Sequence, residues 1–279
     1  MKRLLRSLKM RESTHGPLPE VPKKIWASTV GNKGGSAKSF NTALTAAALG
    51  ADGKKVSIID FDGGNATTFA ITPDAQFVDL RSKTRDALGL IIMTTEAMED
   101  GHIDHVAIDI GAGDTRKFLA ELLPKTLDYV DFVGGRLVFC CAINDEADTH
   151  ADAIDHAMLA FQNKIGCLFM VSYGQGIDED GLYTWYNSKD RENALENGAV
   201  EIRIDDLTRA FSTISRNAKL SLINIVNQDF SNVPPEQLKD VTEYFDLNRQ
   251  CFIADFLADH IERVRIGLAQ AVHNASLIL

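Results

Sequence analysis

The sequence predicts an α/β fold, a mostly parallel sheet of about seven strands with helices on both faces. Three observations predict it. From residue 24 onward, short apolar runs alternate with longer amphipathic stretches, the rhythm of strand, crossover helix and parallel strand. A glycine-rich turn at residues 31–35 separates the first such run from the first amphipathic stretch. The chain has 279 residues, 45% of them hydrophobic and 24% charged, enough to bury the core of one large α/β domain or two small ones.

In chain order, the apolar runs place strands over Ile25 to Val30, Lys55 to Asp60, Phe77 to Leu80, His105 to Ile110, Arg136 to Asn144, Gly166 to Ser172 and Val200 to Ile204. The amphipathic stretches place helices over Lys38 to Leu49, Lys83 to Met98, Asp114 to Leu123, Asp145 to Gln162, Ser188 to Asn197, Leu207 to Val226 and Leu247 to Leu277. Asp114 suits the N-cap of its helix. The apolar spacing in Phe252 to Arg265 is interrupted by acids, which favours packing against the core over gripping a membrane. No internal repeat or low-complexity linker appears. The economical division is a basic extension over residues 1–24 and a single domain over residues 25–279 that closes with helices from about 234.

The net charge of −10 argues against a protein that coats nucleic acid with its whole surface. Residues 1–24 depart from that average, with Lys2, Arg3, Arg6, Lys9, Arg11, Lys23 and Lys24 against Glu12 and Glu20. Such an arm is either a solvated tail or a contact for DNA or a partner. Gly16-Pro17-Leu18-Pro19 breaks any helix begun before it and marks the boundary with the core. No run reaches the roughly 18 to 20 apolar residues of a membrane span, and the start lacks a secretory signal, so a cytoplasmic protein without stable membrane insertion is expected. Four cysteines without a C-x-x-C pair read as buried thiols. His102, His105 and His150 lie near acids without metal-ligand spacing, and Trp26 and Trp185 read as core.

Val30-Gly31-Asn32-Lys33-Gly34-Gly35-Ser36-Ala37-Lys38-Ser39 lies between a strand and a helix, the context that a phosphate loop requires. Glycines let the backbone wrap an oxyanion, successive N–H groups from Lys33, Gly34, Gly35, Ser36, Ala37, Lys38, Ser39 and Phe40 can point inward, and the helix beginning at Lys38 adds its positive end. Lys38 suits the β- and γ-phosphates, and the Ser39 hydroxyl suits magnesium. Downstream, Ile58-Ile59-Asp60-Phe61-Asp62 sets two acids at the end of the second strand. Alternation puts Asp60 and Asp62 on one face, and Asp62-Gly63 also suits an Asx turn. Ile108-Asp109-Ile110-Gly111 ends a buried strand in an acid and a glycine turn.

The loop resembles the deviant Walker A motif, K-G-G-x-x-K-[ST], of the ParA/MinD superfamily of P-loop ATPases. That resemblance implies ATP and Mg²⁺ as cofactors and a homodimer formed across ATP, with Lys33 reaching the phosphates of the other subunit. It implies hydrolysis by Lys33, Lys38 and Asp62, with Asp62 positioning the attacking water. Ser39, Asp60 and Asp109 would organise magnesium. The words D-x-D-x-x-N-A-T, from Asp60 to Thr67, and D-x-G-A-G, from Asp109 to Gly113, look most like the conjugal-transfer TraL and plasmid-stability group. This implies a slow, partner-stimulated switch in plasmid partition, stability or conjugal DNA transfer. Two other readings share the fold: a nucleotide-sensing or structural protein without turnover, and a cofactor-assembly ATPase, which the missing C-x-x-C disfavours.

The family nearly always has glycine where this chain has Ala37, so a loop that needs positive φ there carries strain of about 1 kcal/mol or more. For the adenine contact that relatives make with an asparagine after the sixth strand, this chain offers Ser172 or Gln175. The nearest string to the guanine motif N-K-x-D is Asn187-Ser188-Lys189-Asp190, which does not match it.

Overall fold

Six consecutive buried residues, Ile25–Val30, form β1 and take the centre of the sheet. The computed structural model describes residues 24–34, 36–72, 74–173, 182–205, 222, 226 and 247–278, with the backbone alone at 71 and over 247–254. The other strands are β2 (Val56–Asp60), β3 (Gln76–Phe77), β4 (His105–Asp109), β5 (Arg136–Ile143), β6 (Gly166–Tyr173) and β7 (Val200–Asp205). They form one sheet in the order β3-β2-β4-β1-β5-β6-β7, and every pairing is parallel. Among the described residues, the helices with defined bounds are α1 (Lys38–Gly50), α2 (Thr67–Ile71), α3 (Thr84–Glu99), α4 (Thr115–Lys117), α5 (Leu123–Phe132), α6 (Ala147–Gln162), α7 (Tyr183–Tyr186), α8 (Lys189–Glu196) and α9 (Leu247–Leu277).

Parallel strands need crossovers, and the crossovers cover both faces with helices. On β1, Trp26 and Val30 enter one core with Ile91 of α3, Val130 of α5, Ala157 of α6 and Trp185 of α7. Ile25 and Ala27 enter the other with Leu44 of α1 and Val264 and Leu268 of α9. Period-2 alternation on the strand therefore feeds two separate cores. The C-terminal helix packs as its apolar spacing predicts, burying Leu257, Ile261, Leu268 and Val272. No helix among the described residues is long and apolar enough to cross a membrane.

Two elements differ from expectation. The third strand, expected over Phe77 to Leu80, is instead Gln76–Phe77, with both residues exposed. Asp79 captures the Arg81 N–H at 3.0 Å and the Ser82 hydroxyl at 2.6 Å, turning the chain away from the sheet. The helix expected to end at Leu123 passes from α4 through a π-helical turn, Phe118–Leu122, and continues as α5 to Phe132. Pro124 follows the π-helical turn as the second residue of α5, a place where the helix-bond pattern is already shifted and its missing N–H is accommodated. The short helices α2 and α7 are additions. Most of the helix expected over Leu207 to Val226 lies outside the described residues, where only Leu222 and Val226 are placed, both in the second core.

Cys140, Cys141 and Cys167 are buried free thiols, and burial pushes the Cys140 thiol up to about 12; Cys251 lies outside the described side chains. Trp26 and Trp185 are fully buried, while Tyr183 and Tyr186 are exposed.

Candidate functional site

The end of β1 delivers the chain into the glycine-rich loop. The hydroxyls of Thr42 and Thr29 meet at 2.8 Å and pin α1 against β1 immediately behind it. Ala37 occupies the N-cap position of α1 with φ 62° and ψ 20°, the left-handed region, and its carbonyl accepts the Asn41 N–H at 2.9 Å. The loop does require positive φ at this residue. From the first turn of α1, Lys38 folds back into the loop, its Nζ donating to the Lys33 carbonyl at 2.5 Å and lying 3.4 Å from the Ser36 hydroxyl. The ammonium is largely buried. Burial lowers its pKa, and the charges of Asp109, Asp62 and Asp152 act the other way. Phe40 is buried in the second core, so only its backbone is available to the loop. Gly35 lies outside the described residues.

Helix α6 grips the loop from the side. Asp152 takes the Asn32 backbone N–H and side-chain amide, each at 2.8 Å. Glu146 and Asp148, at the start of that helix, hold Lys33 Nζ at 2.7 and 4.0 Å, and Glu146 raises the pKa of this lysine. None of these three acids stood out in the sequence, because nothing local marks a partnership that spans 120 positions.

Strands β2 and β4 are parallel neighbours in a register that sets Asp60 beside Asp109. Asp109 is buried. Its Oδ2 accepts from the Thr68 hydroxyl at 2.6 Å, and Ser39 also hydrogen-bonds to it. Burial raises the pKa of Asp109, against the pull of those hydroxyls and of Lys38. Asp60 accepts the backbone N–H groups of Asp62 and Phe69, each at 2.8 Å. Burial, then the charge of Asp109, pushes the Asp60 carboxyl up to about 7.

Asp62 lies just beyond the end of β2, half-buried on the same rim. Its Oδ1 accepts the Gly64 N–H at 2.8 Å and the Asn65 N–H at 3.2 Å, closing the Asx turn that the sequence allows. Gly111 faces it, and a Cβ there would stand 2.4 Å from Asp62 Oδ1, so a side chain at this position would push the Asp62 carboxylate aside. Asp114, expected to cap its helix, stands at the N-cap position without a side-chain cap bond. Its carboxylate turns instead to Arg81 and to the Gly63 N–H.

The donors gathered at this rim, the Ser39 hydroxyl and the Asp60 and Asp109 carboxylates, are all hard oxygens. Two adjacent buried carboxylates repel, and either a proton or a cation relieves them. Among the described residues, no group of three or more His, Cys, Asp or Glu side chains is arranged to hold a metal by itself. The set fits magnesium, which is held by one or two carboxylates and completed by water and phosphate oxygens.

His105 and His150 are structural, and His102 is exposed. His105 Nδ1 accepts the Ile25 N–H at 3.1 Å, and His150 Nε2 meets the Asn144 carbonyl at 2.7 Å. Ser172 is buried, and its hydroxyl has no hydrogen-bond partner, whereas Gln175 lies outside the described residues.

Among solved structures, the signal recognition particle 54 kDa protein from Aeropyrum pernix K1 in complex with GDP is similar at 13% identity, with a TM-score of 0.44, over 92% of this chain and 54% of that one. This chain therefore spans about half the length of that protein. No curated protein sequence matches. The model of the CobQ/CobB/MinD/ParA nucleotide binding domain matches residues 27–264, from β1 into α9. With the loop and both acid-bearing strands inside that match, the chain belongs to the CobQ/CobB/MinD/ParA family of nucleotide-binding domains.

Proposed function

We propose that the chain is a magnesium-dependent ATPase that acts as a slow, nucleotide-operated dimer switch in plasmid partition, plasmid stability or conjugal DNA transfer. The observation that carries this reading is a buried ammonium, Lys38, curled into its own loop within electrostatic reach of Asp109 and Asp62. Its present partners, a carbonyl and a hydroxyl, are neutral, so the phosphate oxygens of ATP offer the stronger bond. The loop N–H groups from Lys33 to Phe40 and the N-terminus of α1 add donors to the same anion.

Ser39, Asp60 and Asp109 would hold magnesium, which supplies charge neutralisation at the phosphates. Asp62, at the open edge of the rim, suits the orienting of water. Lys33 is well placed to leave its chain, because its contact with Glu146 is a surface pair, with the two side chains 38% and 45% exposed. Reaching the phosphates of a second subunit, it would exchange one carboxylate for a more highly charged anion. The sequence words from Asp60 to Thr67 and from Asp109 to Gly113 support the plasmid-stability and conjugal-transfer branch, and the basic residues 1–24 suit a contact with DNA.

Equilibrium binding of ATP with and without Mg²⁺ tests the reading. Saturable, magnesium-dependent binding is expected, weakened roughly 10- to 100-fold by Lys38→Ala as a charged hydrogen bond is lost. Lys33→Ala should spare binding and abolish ATP-dependent dimerisation in light scattering. Absence of saturable binding to the wild type rejects the ATPase, and unchanged dimerisation rejects the role of Lys33.

A further inference from the structure

Arg81 belongs to none of the sequence motifs, yet it is tied to the loops that follow both acid-bearing strands. We propose that Arg81 is a positioning residue that braces the turn carrying Asp62 against the turn after Asp109, and thereby sets Asp62 for hydrolysis. The proposal rests on the ATPase reading above.

The brace is built from both ends of the residue. At its head, Arg81 Nε lies 3.1 and 3.2 Å from the two oxygens of Asp114, whose side chain is 1% exposed. Asp114 Oδ2 also accepts the Gly63 N–H at 3.2 Å, one residue from Asp62. A single buried carboxylate is thus shared between the arginine and the Asp62 turn. The guanidinium lies across both turns: a Cβ on Gly113 would stand 2.7 Å from Nη2, and one on Gly64 would stand 3.1 Å from it. At its base, the carbonyls of Leu80 and Arg81 each accept from Lys117 Nζ at 2.9 Å, and Lys117 is the last residue of α4, three positions after Asp114.

The pairing differs from an ordinary surface salt bridge because its acid is buried. Removing Arg81 leaves the Asp114 carboxylate unpaired beside Gly111, the residue against which Asp62 packs. The Asp62 turn then loses its restraint where the water-orienting oxygen sits. Lysine keeps the charge but lacks the planar fork that spans both turns, so it should restore only part of the function.

The test uses the full chain as wild type, Arg81→Ala, Arg81→Lys and Arg81→Ala with Asp114→Asn. Amide hydrogen exchange without nucleotide reads the brace. In Arg81→Ala, exchange at residues 62–65 and 111–115 should quicken while α6 and α9 keep their protection. Single-turnover hydrolysis at saturating Mg-ATP reads the positioning, and about a tenfold loss is expected with the ATP Kd held within about twofold. Arg81→Lys should fall between the two, and the double variant should be no slower than Arg81→Ala.

Unchanged exchange at residues 62–65 overturns the brace, as does a double variant that is slower than Arg81→Ala. A Kd that weakens in step with the rate overturns the positioning role and makes Arg81 a phosphate contact. If the wild type binds no ATP, the ATPase reading falls together with the hydrolytic half of this proposal, and exchange alone decides the brace.

Discussion

Two acid clusters on opposite sides of the sheet, one along β7 and one at the ends of β2 and β4, treat buried charge in opposite ways. At the β6 and β7 end, every described carboxylate in the cluster has a cation. Both oxygens of Glu201 are taken by Arg191 at 2.7 and 2.8 Å, and the indole N–H of Trp185 adds 2.8 Å. Asp205 meets Arg203 at 2.5 Å and Arg263 at 3.4 Å, while Arg203 stacks over the Tyr173 ring at 3.7 Å. At the β2 and β4 end, Asp60 and Asp109 lie side by side, accept only amide and hydroxyl hydrogen bonds, and have no ion pair among the described residues. Asp60, Asp109 and Asp205 each end a strand, whereas Glu201 stands near the start of β7. The satisfied set is architecture, whereas the unsatisfied set stores a demand for positive charge that a bound ion and nucleotide can meet.

Substitution should therefore change sign between the two clusters. Glu201→Ala strands Arg191 and the Trp185 N–H in a largely buried setting, and urea unfolding should show a loss of about 3 kcal/mol with ATP binding intact. A smaller loss coupled to weaker ATP binding would break the comparison.

Asp109→Asn should act the other way without nucleotide, stabilising the protein by about 1 to 2 kcal/mol at pH 8 because a buried charge is gone. It should also erase the magnesium dependence of ATP binding. The pH dependence follows from the same repulsion. The folded protein holds the Asp60 proton up to about 7, far above the unfolded value of 3.8, so this group's contribution is fully present below pH 4 and is lost as pH rises through about 7. Thermal melts of the nucleotide-free protein should show that decline, and saturating Mg-ATP should flatten it.

The smallest effect is expected in the loop. Ala37→Gly removes a methyl group from a residue at φ 62° and should stabilise the fold by about 1 kcal/mol in the same melts. A destabilising result would show that the methyl group packs usefully and that its conformation costs little.

Much of this was legible in the sequence wherever the signal is local. The apolar run Ile25–Val30, the lysines and glycines of the loop, and acids ending two buried strands are each contained within a few residues, and they lie where spacing puts them. The conditional cost at Ala37 was visible too, and the backbone supplies the condition. Partnerships set by topology were not visible. Asp152 reaches Asn32, and Arg81 reaches Asp114, only because the strand order folds distant segments onto one rim. Asp114 showed its place at a helix start but not its task, since a cap and an arginine partner use the same carboxylate. The apolar Val78 and Leu80 predict a longer third strand, yet the Asp79 turn overrides that propensity.

The brevity of that third strand has a consequence for solubility. Unpaired strand edges are templates for uncontrolled growth of a sheet. Here one edge is only Gln76–Phe77, too short to seed a stable new strand, and the opposite edge, Val200–Asp205, alternates Glu201, Arg203 and Asp205 with its aliphatic residues. Among the described strands, one border is guarded by shortness and the other by charge, which disfavours edge-to-edge addition at both.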